Sequence, residues 1–254
     1  ATLTLTDANS TQHDGNYSVV VSNDFGSVES GAKMFAVLDS EMNGLVGWWK
    51  FDETNGTVAY DSSGNGNDGN LTGGPTWATG KIGGALSFDG VDDFVQLVRG
   101  DVVGNGLDLS ISVWIKPSAV STKAIFGEYG KNSSNQYQYT RNHLTISNGA
   151  IGFDQYPPAG GISGKSELNS ITYNIWNHVV FSQNSSAWSL SIGGIIVSGS
   201  NGVEHYSGPT PEAAWIGGRK YEVGNPSGSR SLFDGLIDDV RIYDRALSAA
   251  EVQA

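Results

Sequence analysis

The chain has 254 residues, enough for one large β domain or two smaller ones. Its formal net charge is −12 with only 14 lysines and arginines, so it lacks the basic stripe that nucleic-acid phosphates require and has little attraction for anionic membrane surfaces. It has no cysteine, which excludes a disulfide framework, a thiolate metal site and a Cys nucleophile. No apolar run approaches the ~20 residues of a transmembrane helix.

Glycine stands at 35 of the 254 positions, about twice ordinary usage. With many short segments punctuated by Asn, Gly and Ser, this predicts an all-β sandwich or barrel. No signal peptide is visible, and Ala1-Thr2-Leu3-Thr4-Leu5 already alternates like the middle of a strand. The sequence therefore reads as a piece of something longer. Residues 1–38 carry Asp14-Gly15-Asn16-Tyr17-Ser18-Val19-Val20-Val21, a turn at Asp24-Phe25-Gly26-Ser27, and a second run over Val28–Val37. This resembles the last three strands of an immunoglobulin-like domain, with Asp14-x-x-Tyr17 at the tyrosine corner and Val19 where the family places a Cys. The earlier strands are missing, so 1–38 is read as a partial immunoglobulin-like segment acting as a spacer. Residues 39–44 are read as a polar linker.

From Leu45 a larger domain is predicted, 45–254. Trp49 and Phe51 share one face of the opening strand, Trp48, Lys50 and Asp52 the other. Further strands are predicted at Ala85–Phe88, Phe94–Leu97, Leu109–Lys116, Ala124–Glu128, Gln136–Ile146, Ala150–Phe153, Trp176–Gln183, Ala187–Ile192, Ile195–Ser198, Ala214–Ile216 and Gly235–Tyr243. Such short, evenly punctuated segments suit two packed antiparallel sheets. Trp49, Trp114, Trp176 and His178 are expected in the core; Trp77, Trp188 and Trp215 are less anchored. In the last strand Val240 and Ile242 fall on one face, and Asp239, Arg241 and Tyr243 on the other. Ser248 with Glu251 three residues on forms a capping box for a short helix.

Five blocks carry a resemblance. In order they are Leu45–Glu53 (LVGWWKFDE), Tyr60–Gly69 (YDSSGNGNDG), Ala85–Asp93 (ALSFDGVDD), Trp176–Phe181 (WNHVVF) and Phe233–Glu251. Together they resemble the laminin-G-like jelly rolls of the concanavalin A-like lectin/glucanase superfamily, which implies a two-sheet antiparallel β-sandwich. The oxygen-rich loop Asp61–Gly69 has the ligand types that Ca²⁺ takes, although it lacks the EF-hand's terminal Glu. The resemblance implies a structural calcium tying this loop to the last strand, with Asp61 and Asp239 as ligands and Asn65 and Asn67 contributing. Asp52, Glu53 and Asp238 are the alternatives.

Catalysis finds little support. The Glu-x-Asp-x-x-Glu strand of the superfamily's glucanases is absent, and the adjacent pairs Asp92-Asp93 and Asp238-Asp239 should point to opposite faces of a strand. The four histidines are scattered, and no G-x-S-x-G or H-E-x-x-H motif occurs. Sugar binding fits better, because sugars stack on aromatic faces while their hydroxyls need planar polar partners. Two segments supply both. One runs from Tyr129 through Tyr137, Tyr139, Arg141 and His143 to Tyr156; the other holds His205, Tyr206, Arg219, Lys220 and Tyr221. The i, i+2 spacing of Tyr137, Tyr139, Arg141 and His143 would put all four on one strand face. Lys131, Arg141, Arg219 and Lys220 give these segments four of the chain's 14 cations, which points toward an anionic glycan. The competing reading makes the tyrosines cross-strand packing pairs and the cations partners of nearby acids.

The sequence thus reads as a non-catalytic carbohydrate-binding module, stabilised by calcium, of a secreted or cell-surface bacterial protein. Its partner would be a polysaccharide or oligosaccharide, with no nucleic acid, no membrane, and further domains covalently attached, among them a carbohydrate-active enzyme. A laminin-G-type adhesion module and a glycan-active enzyme on the same fold are the alternatives.

Overall fold

A computed structural model describes residues 15–17, 20–23, 26–29, 33–35, 42–103, 108–118, 123–131, 137–155, 162–166, 170–185, 187–200, 211, 213–220 and 230–253. The chain separates into two compact units, Ala1–Asn43 and Gly44–Ala254. The first holds β1 (Gly15–Tyr17), β2 (Val20–Asn23), β3 (Gly26–Glu29) and β4 (Lys33–Phe35). β2 and β3 are an antiparallel pair with Asn23 opposite Gly26, where the sequence predicts a turn. β1 pairs with β4, Tyr17 opposite Lys33. Asp14 and Val19 lie outside the described residues.

The second unit holds β5 (Leu45–Trp49), β6 (Val58–Ala59), β7 (Gly69–Thr72), β8 (Thr76–Thr79), β9 (Gly84–Asp89), β10 (Phe94–Leu97), β11 (Leu109–Pro117), β12 (Lys123–Lys131), β13 (Tyr137–Ser147), β14 (Ala150–Gln155) and β15 (Ile162–Lys165). It continues with β16 (Asn177–Gln183), β17 (Ala187–Ile192), β18 (Ile195–Ser200), β19 (Ala213–Ile216), β20 (Gly218–Lys220), β21 (Arg230–Leu232), β22 (Asp234–Tyr243) and a C-terminal helix, Ala249–Gln253. One sheet runs β15-β14-β13-β12-β19-β10-β7-β6. The other runs β18-β17-β16-β11-β22-β9-β8, with β5 also paired to β22. The neighbours pair antiparallel, as the sequence reading requires of a sandwich.

Alternation fixes which side chains fill the core. On β11, Ile111, Val113 and Ile115 are buried, while Ser112, Trp114 and Lys116 are half-buried on the outer face. Val179 and Phe181 of β16 and Val240 and Ile242 of β22 join them from the same sheet. Leu144, Ile146, Phe153 and Ile216 close the core from the other. Phe153 and Phe181 stack with their ring centroids 3.6 Å apart.

The structure corrects several expectations. Trp49 is fully buried, but Trp114, Trp176 and His178 are only half-buried. Trp114 and His178 stack on each other outside the sheet, centroids 4.7 Å apart. Trp215 is buried instead, stacked on Phe94 at 4.5 Å. The strands β6, β7, β8, β15, β20 and β21 are not among the expected ones, because they are too short or too rich in small and polar residues to show an alternation. In β22 the register slips opposite Ser112 and Trp114, where Asp239 takes φ 48°. This bulge interrupts the alternation, so Asp238 and Asp239 are both buried.

Candidate functional site

The Asn/Gly loop is built around one carboxylate. Asp61 Oδ1 accepts the Trp48 and Ser63 N–H groups, each at 2.9 Å. Its Oδ2 accepts the Ser63 hydroxyl and the Asn67 N–H, again each at 2.9 Å. The Asp61 N–H itself donates to Asp68 Oδ1 at 2.8 Å. Asn65 Nδ2 donates to the Leu45 carbonyl at 3.0 Å, and Asn67 Nδ2 to the Val46 carbonyl at 2.7 Å. The loop is therefore sewn onto β5. Trp48 carries the link to the last strand, its indole Nε1 donating to Asp239 Oδ1 at 2.6 Å. Arg241 adds an ion pair to Asp239 at 3.2 Å.

This geometry bears on calcium. Both Asp61 oxygens are saturated by the chain's own N–H and O–H groups, and Asp239 is held by an indole and a guanidinium. The side-chain nitrogens of Asn65 and Asn67 donate to backbone carbonyls, and Asn67 Oδ1 is buried without a hydrogen-bond partner. The carboxylates thus act as a hydrogen-bonded staple, while the loop keeps the oxygen types that Ca²⁺ takes. The alternatives are used as well. Asp52 accepts the Gly84 N–H at 2.7 Å, and Glu53 the Tyr60 N–H at 2.8 Å. Asp238 Oδ2 accepts the N–H groups of Lys81 and Ile82 at 2.7 and 2.9 Å. Burial pushes the Asp238 carboxyl up to about 6 against the pull of those two N–H groups. Among the described residues, the carboxylates whose oxygens lie within 4.8 Å of one another in a group of three are Asp89, Asp92 and Asp93. They hold their own turn: Asp89 Oδ1 accepts the Val91 N–H at 2.8 Å, which lowers its pKa, and Asp93 Oδ2 accepts the Asp89 N–H at 2.9 Å. Burial raises the Asp93 carboxyl.

Of the expected sugar-binding residues, Tyr137, Tyr139, Arg141 and His143 lie along β13, between β12 and β14. Tyr129 lies on β12 and pairs with Thr140; Tyr139 pairs with Gly130 and His143 with Gly127. The β12–β13 register slips between Gly127 and Tyr129 and again between Gly130 and Lys131. Arg219 and Lys220 are strand positions of β20, opposite Ser231 and Arg230. Tyr156, His205, Tyr206 and Tyr221 lie outside the described residues.

The sequence reading missed an aromatic and cationic row on the outer face of the second sheet. Lys50 and Arg241 both lie over the Trp48 ring, 4.1 and 4.6 Å from its centroid. Lys81 lies 5.1 Å from the Trp114 centroid. His178 stacks on Trp114 and hydrogen-bonds Ser112 Oγ at 2.9 Å; burial holds its pKa down. The signal was present in the alternation of Trp48 with Lys50 and of Ser112 with Trp114 and Lys116. These rings are covered by cations and an imidazole, so they brace the sheet.

A family described as the concanavalin A-like lectin/glucanases superfamily matches residues 88–253, well over half of the chain. The chain belongs to this superfamily. Among solved structures, domain 4 of AbnA, an extracellular arabinanase from Geobacillus stearothermophilus, solved in complex with arabinotriose, is similar at 24% identity and a TM-score of 0.62. The match covers 82% of this chain and 96% of that one. The botulinum neurotoxin serotype D binding domain is similar at 16% identity, TM-score 0.60, over 85% of this chain. The binding domain of Paraclostridial Mosquitocidal Protein 1 is similar at 18%, TM-score 0.58, over 84%. The chain spans about half the length of these two, 52% of each. No curated protein matches it. The superfamily fold is therefore shared, and at these identities the likeness carries the fold alone. Among the described residues, no helix is long and apolar enough to cross a membrane.

Proposed function

We propose that the unit Gly44–Ala254 is a non-catalytic carbohydrate-binding module of a secreted or cell-surface protein. It would hold attached domains on a polysaccharide by raising their effective concentration. The observation that supports this most is the superfamily fold with two tyrosines, an arginine and a histidine concentrated at 137–143 of one internal strand. The arabinotriose complex of a similar domain adds to it. Tyr129, Tyr156, His205, Tyr206, Arg219, Lys220 and Tyr221 belong to the same proposal as neighbouring contributors. A structural calcium also belongs to it, with Asp61, Asn65, Asn67 and Asp239 as the ligands.

The test is affinity gel electrophoresis of the intact chain on neutral, uronic-acid and sulfated polysaccharides, in CaCl₂ and in EDTA. Retardation that Tyr139→Ala or Arg141→Ala abolishes, without loss of melting temperature, is the expected result. No retardation on any polymer would favour the adhesion reading, to which the exposed Ile195 and Ile196 would then contribute. A melting temperature unchanged by EDTA would remove calcium from the account.

A further inference from the structure

At one end of the sandwich, the Asn/Gly loop, the segment after β10 and the end of β22 enclose a cavity of about 280 Å³. Asn65, Asn67, Arg99, Asp101 and Asp244 supply its polar lining. Val46, Val102 and Val103 supply an apolar wall. None of these residues belongs to the β13 segment.

Asn67 is the informative member. It is only 3% exposed, its N–H is spent on Asp61 and its Nδ2 on the Val46 carbonyl. Its Oδ1 is buried with no hydrogen-bond partner. A buried acceptor left unpaired is costly, and such groups in native proteins ordinarily have a partner. Here the residue lines a cavity, and a small turn of its side-chain amide would bring Oδ1 to a donor held there. Asn65, also on the lining, has its Nδ2 fixed on the Leu45 and Val46 carbonyls. Asp244 is set by its strand end: its N–H donates to the Gly44 carbonyl at 2.8 Å, and a Cβ on Gly44 would stand 2.7 Å from Asp244 Oδ1.

The lining chooses among ligands. Two carboxylates against one guanidinium disfavour an anion. A bare cation would draw its oxygens to about 2.3–2.6 Å, which does not need a space this large or a valine wall. A volume below the ~300–1,000 Å³ of drug-sized sites suits a single ring. Carboxylates and amide oxygens accept from hydroxyls, Arg99 donates to them, and an apolar wall faces C–H groups. We infer that this cavity binds one neutral sugar residue, with Asn67 Oδ1 accepting from a ring hydroxyl. The site would be a second contact, separate from the β13 segment, and its neutral preference contrasts with the cationic character of that segment. It rests on the carbohydrate reading of the module.

The experiment is a ¹H–¹⁵N titration of the intact chain with arabinose, xylose, glucose and galactose, each to tens of millimolar, with CaCl₂ alone as a separate arm. Saturable shifts of the Asn67 side-chain amide and of the amides of residues 99–103 by at least one sugar are expected. Arg99→Ala and Asp244→Asn should each weaken that sugar about tenfold or more at an unchanged melting temperature. Shifts confined to other residues, or equal affinity in Arg99→Ala, would overturn the inference. Shifts at Asn67 with CaCl₂ and with none of the sugars would replace it with a cation site. Polymer retention is read separately, through Arg141→Ala, so failure of one site is distinguishable from failure of the other.

Discussion

Asp61 accepts four hydrogen bonds, three from Ser63 and Asn67 within the Asn/Gly loop and one from the Trp48 N–H that fastens the loop to β5. Asp61→Ala would strand the Trp48 and Asn67 N–H groups, and an expected loss of about 2–4 kcal/mol follows from such orphaned donors. Urea unfolding measures it, and a loss under ~0.5 kcal/mol would contradict the assignment. Two further residues set opposite pH dependences. Asp238 has a folded pKa of about 6, raised above its unfolded value of 3.8 by burial. The folded state then holds the extra proton, so this group's contribution to stability grows as pH falls from about 6 toward 4. Glu251, lowered to about 2 chiefly by its hydrogen bonds with Arg245, stabilises above 4.5 and loses that contribution as pH falls toward 2. His178, held down by burial, opposes Asp238 below its usual 6.5, so each effect is read by difference. In urea midpoints against pH, Asp238→Asn should remove the gain between 6 and 4, and Glu251→Gln should flatten the limb between 4.5 and 2. Sequence reasoning found Asp61 and the Ser248–Glu251 box. The box forms as expected, Ser248 N–H to Glu251 Oε2 at 2.8 Å. It could not find Asp238's burial, which follows from a bulge one residue away.

The strands that reasoning recovered are those with apolar alternation. β10 is found residue for residue, and β11, β16 and β17 within one residue at either end. β7 shows why others were missed. Its first residue, Gly69, is buried with no room for a side chain, because a Cβ there would meet Val95 Cγ1 at 2.3 Å and Leu97 Cδ2 at 3.1 Å. Glycine signals a turn to a reader of sequence, whereas here it makes room for the next strand. Gly69→Ala should cost about 1–3 kcal/mol by overpacking, measured by thermal melting. A neutral result would mean that β7 stands farther from β10. The outer-face row escaped for the opposite reason. Tryptophan in an alternating strand predicts core, but Trp114 is half-buried beside Lys81 and His178.

For the whole molecule, five sequence blocks in order were enough to give a two-sheet sandwich of the concanavalin A-like superfamily, and the sheet topology and the family match agree. The site was less legible. The expected sugar face rests on the two-residue spacing along β13, and the pairing of β13 with its neighbours is not revealed by a single strand's spacing. The cavity joins residues 46, 65, 67, 99, 101–103 and 244, brought together only by the fold. The central claim is that the molecule binds glycans without acting on them. Isothermal titration calorimetry of the intact chain with arabinotriose and with xylo-, gluco- and galacto-oligosaccharides, followed by chromatography of the recovered sugars, tests it most directly. Saturable heats with at least one oligosaccharide, recovered intact, are what the account predicts. Flat heats with every oligosaccharide, or recovery of shortened products, would contradict it.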